Sequence, residues 1–344
     1  MNIYKQIKTI LPGAAAAILM LAPGCAKEVT TDTSEIAREF FEAWMKVNYP
    51  DAKPQGLGVY IIDDQPGTGA EMTDDDLYFL ADYTITDLKG SVRSTTVVGT
   101  AQQVGTFSES NYYGPRFLIN RWDYTETGVL EMLPGMKVGG TRTAVIPSWL
   151  DYTPQKELKT VEEYLKVNGG ANAICTLTLR DKTDDIIEWE IDSLSRFVSL
   201  RMDGVDSLKF GFYMKTIKEP DDTSKYGTDS TFCINYTGRL LNGKVFDTTI
   251  EDTAKVYGIW SSSKTYAPMY VKKASDYTET TLAADETSTG EKTIDGFAYG
   301  LSQLRHNEKI VCAFYSVLGY GYSGSGTSIP SFAPLTFEIE GVDK

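Results

Sequence analysis

Apolar residues recur along this chain in two periods, and the same order of periods is met twice. Over residues 34–47, Ile36, Phe40, Phe41, Trp44 and Val47 fall at helical spacing, which predicts a helix with these side chains on its buried face. Ser34 stands where an N-cap belongs, and Pro50 stops the run. A strand-like segment follows at 56–63, then a Pro66-Gly67 turn, then the longest β-rich run of this half at 77–88. Residues 128–138 read as a short helix broken by Pro134-Gly135. Residues 141–146 read as a strand, 157–167 as a helical insertion and 173–179 as a closing strand. The plan then restarts. Residues 186–202 place Ile187, Ile191, Leu194, Val198 and Met202 on one helical face, and strands are predicted at 211–218, 231–241, 309–315 and 335–340.

Fixed spacings make this likeness a repeat. Tyr83 and Gly90 match Tyr236 and Gly243 at an offset of 153, while Gly128 and Tyr152 match Gly296 and Tyr320 at an offset of 168. The difference of 15 residues falls between Gly243 and Gly296. Two copies of one α+β domain are therefore expected, residues 35–182 and 184–344. Each would be an antiparallel β-sheet wrapped on a short helix and preceded by an N-terminal helix. The second would carry a long insertion at 250–291.

Residues 1–25 have another character. Lys5 and Lys8 precede a short apolar stretch at 14–21, too short to span a bilayer, and the segment ends Ala22-Pro23-Gly24-Cys25. A small residue before a cysteine at the end of a signal peptide resembles a bacterial lipobox. That resemblance implies lipidation of Cys25 as the new N-terminus; an ordinary cleaved signal with an incidental cysteine is the other reading. Residues 26–34 are small and polar, as a tether would be. The expected location is a bacterial cell envelope, periplasm or cell surface, with the membrane reached through a lipid anchor at Cys25.

Composition narrows the chemistry. A formal net charge of −14 lacks the basic footprint of a nucleic-acid binder. One histidine, His306, leaves no His-based triad or multi-His metal site. Four cysteines without CxxC spacing leave no zinc or redox motif. No cofactor or metal is expected. The 21 tyrosines instead point to apolar and aromatic working surface.

The second half carries the motifs. Its residues run Tyr236-Thr237-Gly238, then Gly243-Lys244-Val245-Phe246-Asp247, Ile294-Asp295-Gly296-Phe297, Leu318-Gly319-Tyr320-Gly321 and Ile329-Pro330, with Phe337 in the last strand. This order resembles the FKBP-type peptidyl-prolyl cis-trans isomerases over roughly residues 211–342. The resemblance implies an apolar pocket between sheet and helix, lined by Tyr236, Phe246, Asp247, Ile294, Phe297, Tyr320, Ile329 and Phe337, and proline-containing polypeptides as partners. Phe297 stands where that family prefers Trp as the pocket floor. Thr293, Ser328 and Ser331 replace residues that are usually apolar or proline, and Tyr266 or Tyr270 is a candidate for a further pocket aromatic.

Such residues suit this chemistry without a nucleophile. Rotation about an X–Pro bond meets a barrier of roughly 18–20 kcal/mol because the twisted amide loses resonance. An aromatic cavity disfavours the planar ground state more than the twisted one. The first half keeps the frame but has Arg93, Ser94 and Val129 in place of Phe246, Asp247 and Phe297, and no aromatic near Thr176-Leu177. It reads as scaffold or binding module. Two functions follow: an isomerase and folding helper for exported proteins, or a non-catalytic binding lipoprotein holding a protein, peptide or glycan.

Overall fold

The computed structural model describes residues 33–167, 169–220 and 222–343. The signal segment and Cys25 lie outside the described residues. Helix α1 (Thr33–Asn48) is followed by β1 (Pro54–Gln55), β2 (Val59–Gln65), β3 (Tyr78–Thr86), β4 (Val92–Thr95), α2 (Val98–Gln103), β5 (Arg116–Ile119), α3 (Thr127–Leu130), β6 (Thr141–Ile146), α4 (Val161–Tyr164) and β7 (Ala173–Thr183). Helix α5 (Ile186–Arg201) opens the second series. It continues with β8 (Ser207–Lys209), β9 (Phe212–Lys218), β10 (Thr231–Leu240), β11 (Val245–Thr248), α6 (Glu251–Val256), β12 (Met269–Lys272), β13 (Thr281–Ala283), β14 (Glu291–Lys292), α7 (Asp295–Gln303), β15 (Lys309–Phe314) and β16 (Leu335–Val342).

The strands form two antiparallel sheets with one plan. The first runs β1-β2-β6-β7-β3, with β4 and β5 both paired to β3. The second runs β8-β9-β15-β16-β10, with β11 and β12 both paired to β10. Alternation sets the faces, since successive strand residues point to opposite sides. Ala173, Cys175, Leu177 and Leu179 of β7 are buried at every second position. On β15, Ile310, Cys312 and Phe314 join the main core, while Ala313 and Val311 face a separate cluster with Leu194, Val198 and Met202 of the α5 segment.

Several elements differ from the sequence pattern. Helix α1 begins at Thr33, so the end of the expected tether is already helical. Its buried stripe is Phe41 and Met45 with Trp44 half-buried, whereas Ile36, Phe40 and Val47 are exposed. Phe40 sits about 100° around the helix from Phe41, and only the Phe41 stripe meets Tyr60 and Trp149, edge-on at 5.8 and 5.4 Å. Helix α4 is four residues long, bounded by a capping box of Thr160 and Glu163, not the full 157–167 run. On α5, capped by Asp185 through the Ile187 and Glu188 amides, the buried positions are Ile186, Glu190, Leu194 and Val198; Ile187 and Ile191 are only half-buried.

The stretch 250–272 is not extra material relative to the first half. Helices α2 and α6, strands β5 and β12, and the loops between them repeat at the offset of 153. Ser108 N–H donates to the Tyr113 hydroxyl (3.3 Å) as Ser261 N–H does to Tyr266 (2.9 Å). The surplus residues lie after β12, where β13 and β14 are added to the sheet edge.

Candidate functional site

All eight residues singled out from the sequence line one cavity of about 850 Å³ in the second half. Strand β10 supplies Tyr236 and β11 supplies Phe246 and Asp247. Helix α7 supplies Phe297, with Ile294 at its N-cap. Phe337 comes from β16, and Tyr320 and Ile329 from the segment between β15 and β16. Phe297 is buried and forms the floor. Its ring meets Tyr236 at 5.3 Å and Phe337 at 4.7 Å, both edge to face. Phe246 meets Phe337 at 5.5 Å and 81°. Edge-to-face contacts set the positive ring edge on a negative ring face, so these rings fix one another's orientation. Beneath them Phe314 stacks on Phe337 at 5.8 Å.

The polar side of the cavity is a short chain. Antiparallel pairing places Asp247 opposite Gly238, two residues beyond Tyr236. The Tyr236 hydroxyl donates to Asp247 Oδ2 at 2.6 Å. Lys264 Nζ pairs with Asp247 Oδ1. Burial first, then the neighbouring Asp247 carboxylate, push the Tyr236 phenol far above its ordinary value; the same causes raise Tyr320. Both phenols therefore keep their protons at neutral pH and serve as hydrogen-bond donors. Ile329 is held in a tight hairpin in which Ser325 and Ile329 exchange backbone bonds of 2.9 and 3.1 Å.

Sequence reasoning did not reach part of this wall. Met269 of β12, Leu282, Ala283, Glu291 and Lys292 of the added β13–β14 edge, and Ser325 also line the cavity, beside Thr293 and Ser328, which the motifs had already marked as polar replacements. Tyr266 and Tyr270 do not. The Tyr266 hydroxyl is engaged by Ser261 N–H in its own loop, and Tyr270 is paired with Cys233 and Ala283 within the sheet. Lys264 left no sequence signal, because its reach to Asp247 depends on how the 257–266 loop folds back.

In the first half the equivalent positions are filled differently. Arg93 turns its guanidinium to the Ala171 and Asn172 carbonyls (3.1 and 2.6 Å) and lies 3.6 Å from Asp151. Cys175 stands in the register position of Phe337, and Ile85 in that of Gly238. Val129 is buried where Phe297 stands in the second half. The described cysteines, Cys175, Cys233 and Cys312, are buried and form no disulfide. Cys233 on β10 and Cys312 on β15 are separated by β16. Burial pushes the Cys175 and Cys312 thiols up to about 12. His306 is exposed and lies against the Tyr226 ring at 4.2 Å.

No protein-family model matches the chain. It is 32% identical over 122 residues to a probable FKBP-type peptidyl-prolyl cis-trans isomerase of Haemophilus influenzae, covering 36% of this chain and 37% of that one. The chain thus spans little more than a third of that relative's length. Among solved structures, a peptidyl-prolyl cis-trans isomerase of Pseudomonas syringae is similar at 23% identity and a TM-score of 0.31, over 46% of this chain and 96% of that one. FkpA from Escherichia coli is similar at 21% identity and a TM-score of 0.30, over 46% and 62%. The three FKBP domains of wheat FKBP73 are similar at 14% identity and a TM-score of 0.29, over 83% and 94%. The chain resembles the FKBP-type peptidyl-prolyl cis-trans isomerases, and a named relative now stands beside the motifs that carry the resemblance.

Proposed function

We propose that the chain is a peptidyl-prolyl cis-trans isomerase that assists the folding of exported proteins, working at the second-half cavity. The observation that carries this reading is the convergence of Tyr236, Phe246, Asp247, Ile294, Phe297, Tyr320, Ile329 and Phe337 on one aromatic-floored cavity. The two halves are taken as two FKBP-like domains, residues 35–182 and 184–344, the first without a working pocket. Cys25 is taken as the lipid-bearing N-terminus of the mature protein.

In this reading the proline ring sits on Phe297 between Phe246 and Phe337. The amide carbonyl that turns out of plane meets the Tyr320 hydroxyl at the cavity mouth. Asp247 fixes the Tyr236 phenol, so the ring wall is not free to rotate. No bond to the protein forms; the cavity favours the twisted amide because its apolar walls solvate the planar, more polar amide poorly. A second reading, a non-catalytic binding lipoprotein, draws on the polar side chains that the β13–β14 edge and the 325–328 turn add to the cavity wall.

The test is isomerisation of a proline-containing peptide by the mature protein, with and without a pocket-binding macrolide. Acceleration that the macrolide suppresses supports the isomerase. Macrolide or peptide binding without acceleration favours the binding protein.

A further inference from the structure

The segment 316–334 carries two cavity residues, Tyr320 and Ile329, yet it is anchored from outside its own sheet. At its start, Ser316 donates its backbone N–H (2.5 Å) and its hydroxyl (2.7 Å) to the fully buried Glu190 of α5. At its middle, the Thr327 carbonyl accepts from the Tyr112 amide (2.7 Å), and its hydroxyl donates to Asn111 Oδ1 (2.6 Å). At its end, Phe332 turns away from the cavity. Its ring is buried against Tyr78 (5.3 Å, 81°) and Phe117 (6.4 Å, 89°) of the first sheet. Phe332 has a φ of 57°, a costly conformation for a bulky residue that persists only where its surroundings fix it.

The repeat sharpens the point. Asn111 stands at the first-half position of Lys264, and Ser94 at that of Asp247. In the second half this loop turns Lys264 onto its own cavity rim. In the first half the same loop, with the same serine–tyrosine closure, leans on the other half instead: Asn111 and Tyr112 on Thr327, and the Glu109 carbonyl on Lys244 Nζ (2.6 Å).

We infer that Asn111, Tyr112 and Phe117 of the first half are positioning residues for the second-half cavity, bracing the 316–334 segment so that Ile329 and Tyr320 are in place before a peptide arrives. A loop ordered in advance loses less conformational freedom on binding. The first half thereby gains a role that needs no pocket of its own. For its catalytic readout the inference rests on the isomerase reading above; its structural readout does not.

The test uses the full chain carrying Asn111→Ala and Phe117→Leu together, with Lys89→Ala, in an exposed first-half turn, as control. Hydrogen exchange of the Ser325, Ile329 and Phe332 amides should accelerate about tenfold, a local opening, while β10 and β16 amides keep their protection. KM for a proline peptide should rise about tenfold with kcat little changed. Lys89→Ala should alter neither. The brace is overturned if the loop amides and KM keep wild-type values in the double variant, or if β10 and β16 exchange faster to the same degree. A wild-type chain without isomerase activity whose loop amides still respond leaves the brace standing and removes the isomerase reading alone.

Discussion

A Cβ on Gly238 would lie 2.6 Å from the Phe246 ring and 2.8 Å from Phe337, closer than side chains approach. The glycine of the Tyr236-Thr237-Gly238 motif is thus the space that the two rings occupy. The first half, with Arg93 and Cys175 in place of those rings, has Ile85 at this position. Gly238→Ala should displace the cavity rings, lowering kcat/KM on the order of tenfold and stability by about 1–3 kcal/mol, the usual cost of overpacking. Peptide isomerisation and urea midpoints would check both. Tyr236→Phe keeps the ring and removes the 2.6 Å bond to Asp247. A hydrogen bond to a charged group contributes about 1.5–3 kcal/mol to stability, so Tyr236→Phe should lower the urea-unfolding stability by up to that amount; an unchanged stability would remove Tyr236's polar role. The eight cavity positions were readable because motif order holds residues from six separate stretches. Lys264, Met269 and Leu282 were not, since each reaches the cavity through a loop path or a sheet edge that no local pattern encodes.

For the elements, the long central strands were legible, Thr141–Ile146 to the residue, whereas the short strands β4, β5, β11 and β12 and the added β13–β14 edge were not. Helical faces were legible in part. The 186–202 spacing correctly placed Leu194, Val198 and Met202 inside, but in the first two turns the buried positions are Ile186 and Glu190 in place of Ile187 and Ile191, which brings Glu190 inside. A charged residue at a core position is invisible to apolar periodicity. Burial pushes the Glu190 carboxyl up to about 7, against the lowering effect of its two Ser316 bonds. A folded-state value above the unfolded value of about 4.3 means that the folded chain binds the extra proton. Its stabilising effect is full below about pH 4.3 and is lost as pH rises through about 7. The chain should therefore lose stability, on the order of 3 kcal/mol at most, between those values. Urea unfolding of wild type against Glu190→Gln tests this: the variant should lose the slope in that window, and equal slopes would contradict it.

For the whole molecule, one frame is used twice with different outcomes. Gly128 and Gly296 persist because a Cβ on either would strike the strand beneath, at Ile146 (2.2 Å) and Phe314 (2.5 Å). These glycines pack helix on sheet, and their offset made the repeat readable. The association of the halves was not readable, because it rests on Phe332, Thr327 and Asn111 in loops with no periodic signal. The proposed lipid anchor is tested at this scale too: if Cys25 carries it, Cys25→Ser should release the protein from membranes, and continued partition of the variant with the membrane fraction would refute the anchor.

The aromatic cavity of the second half is proposed to catalyse prolyl isomerisation. Phe246→Arg imports the side chain that the first half carries at the equivalent position. A guanidinium there opposes an apolar mechanism, yet from half-exposed Phe246 it can extend to water and spare the fold. The decisive measurement is proline-peptide isomerisation and circular dichroism on the same full-chain samples of wild type and Phe246→Arg. Acceleration by wild type, none by the variant, and superimposable spectra are expected. A wild-type chain that does not accelerate isomerisation, or a folded variant as fast as wild type, would contradict it.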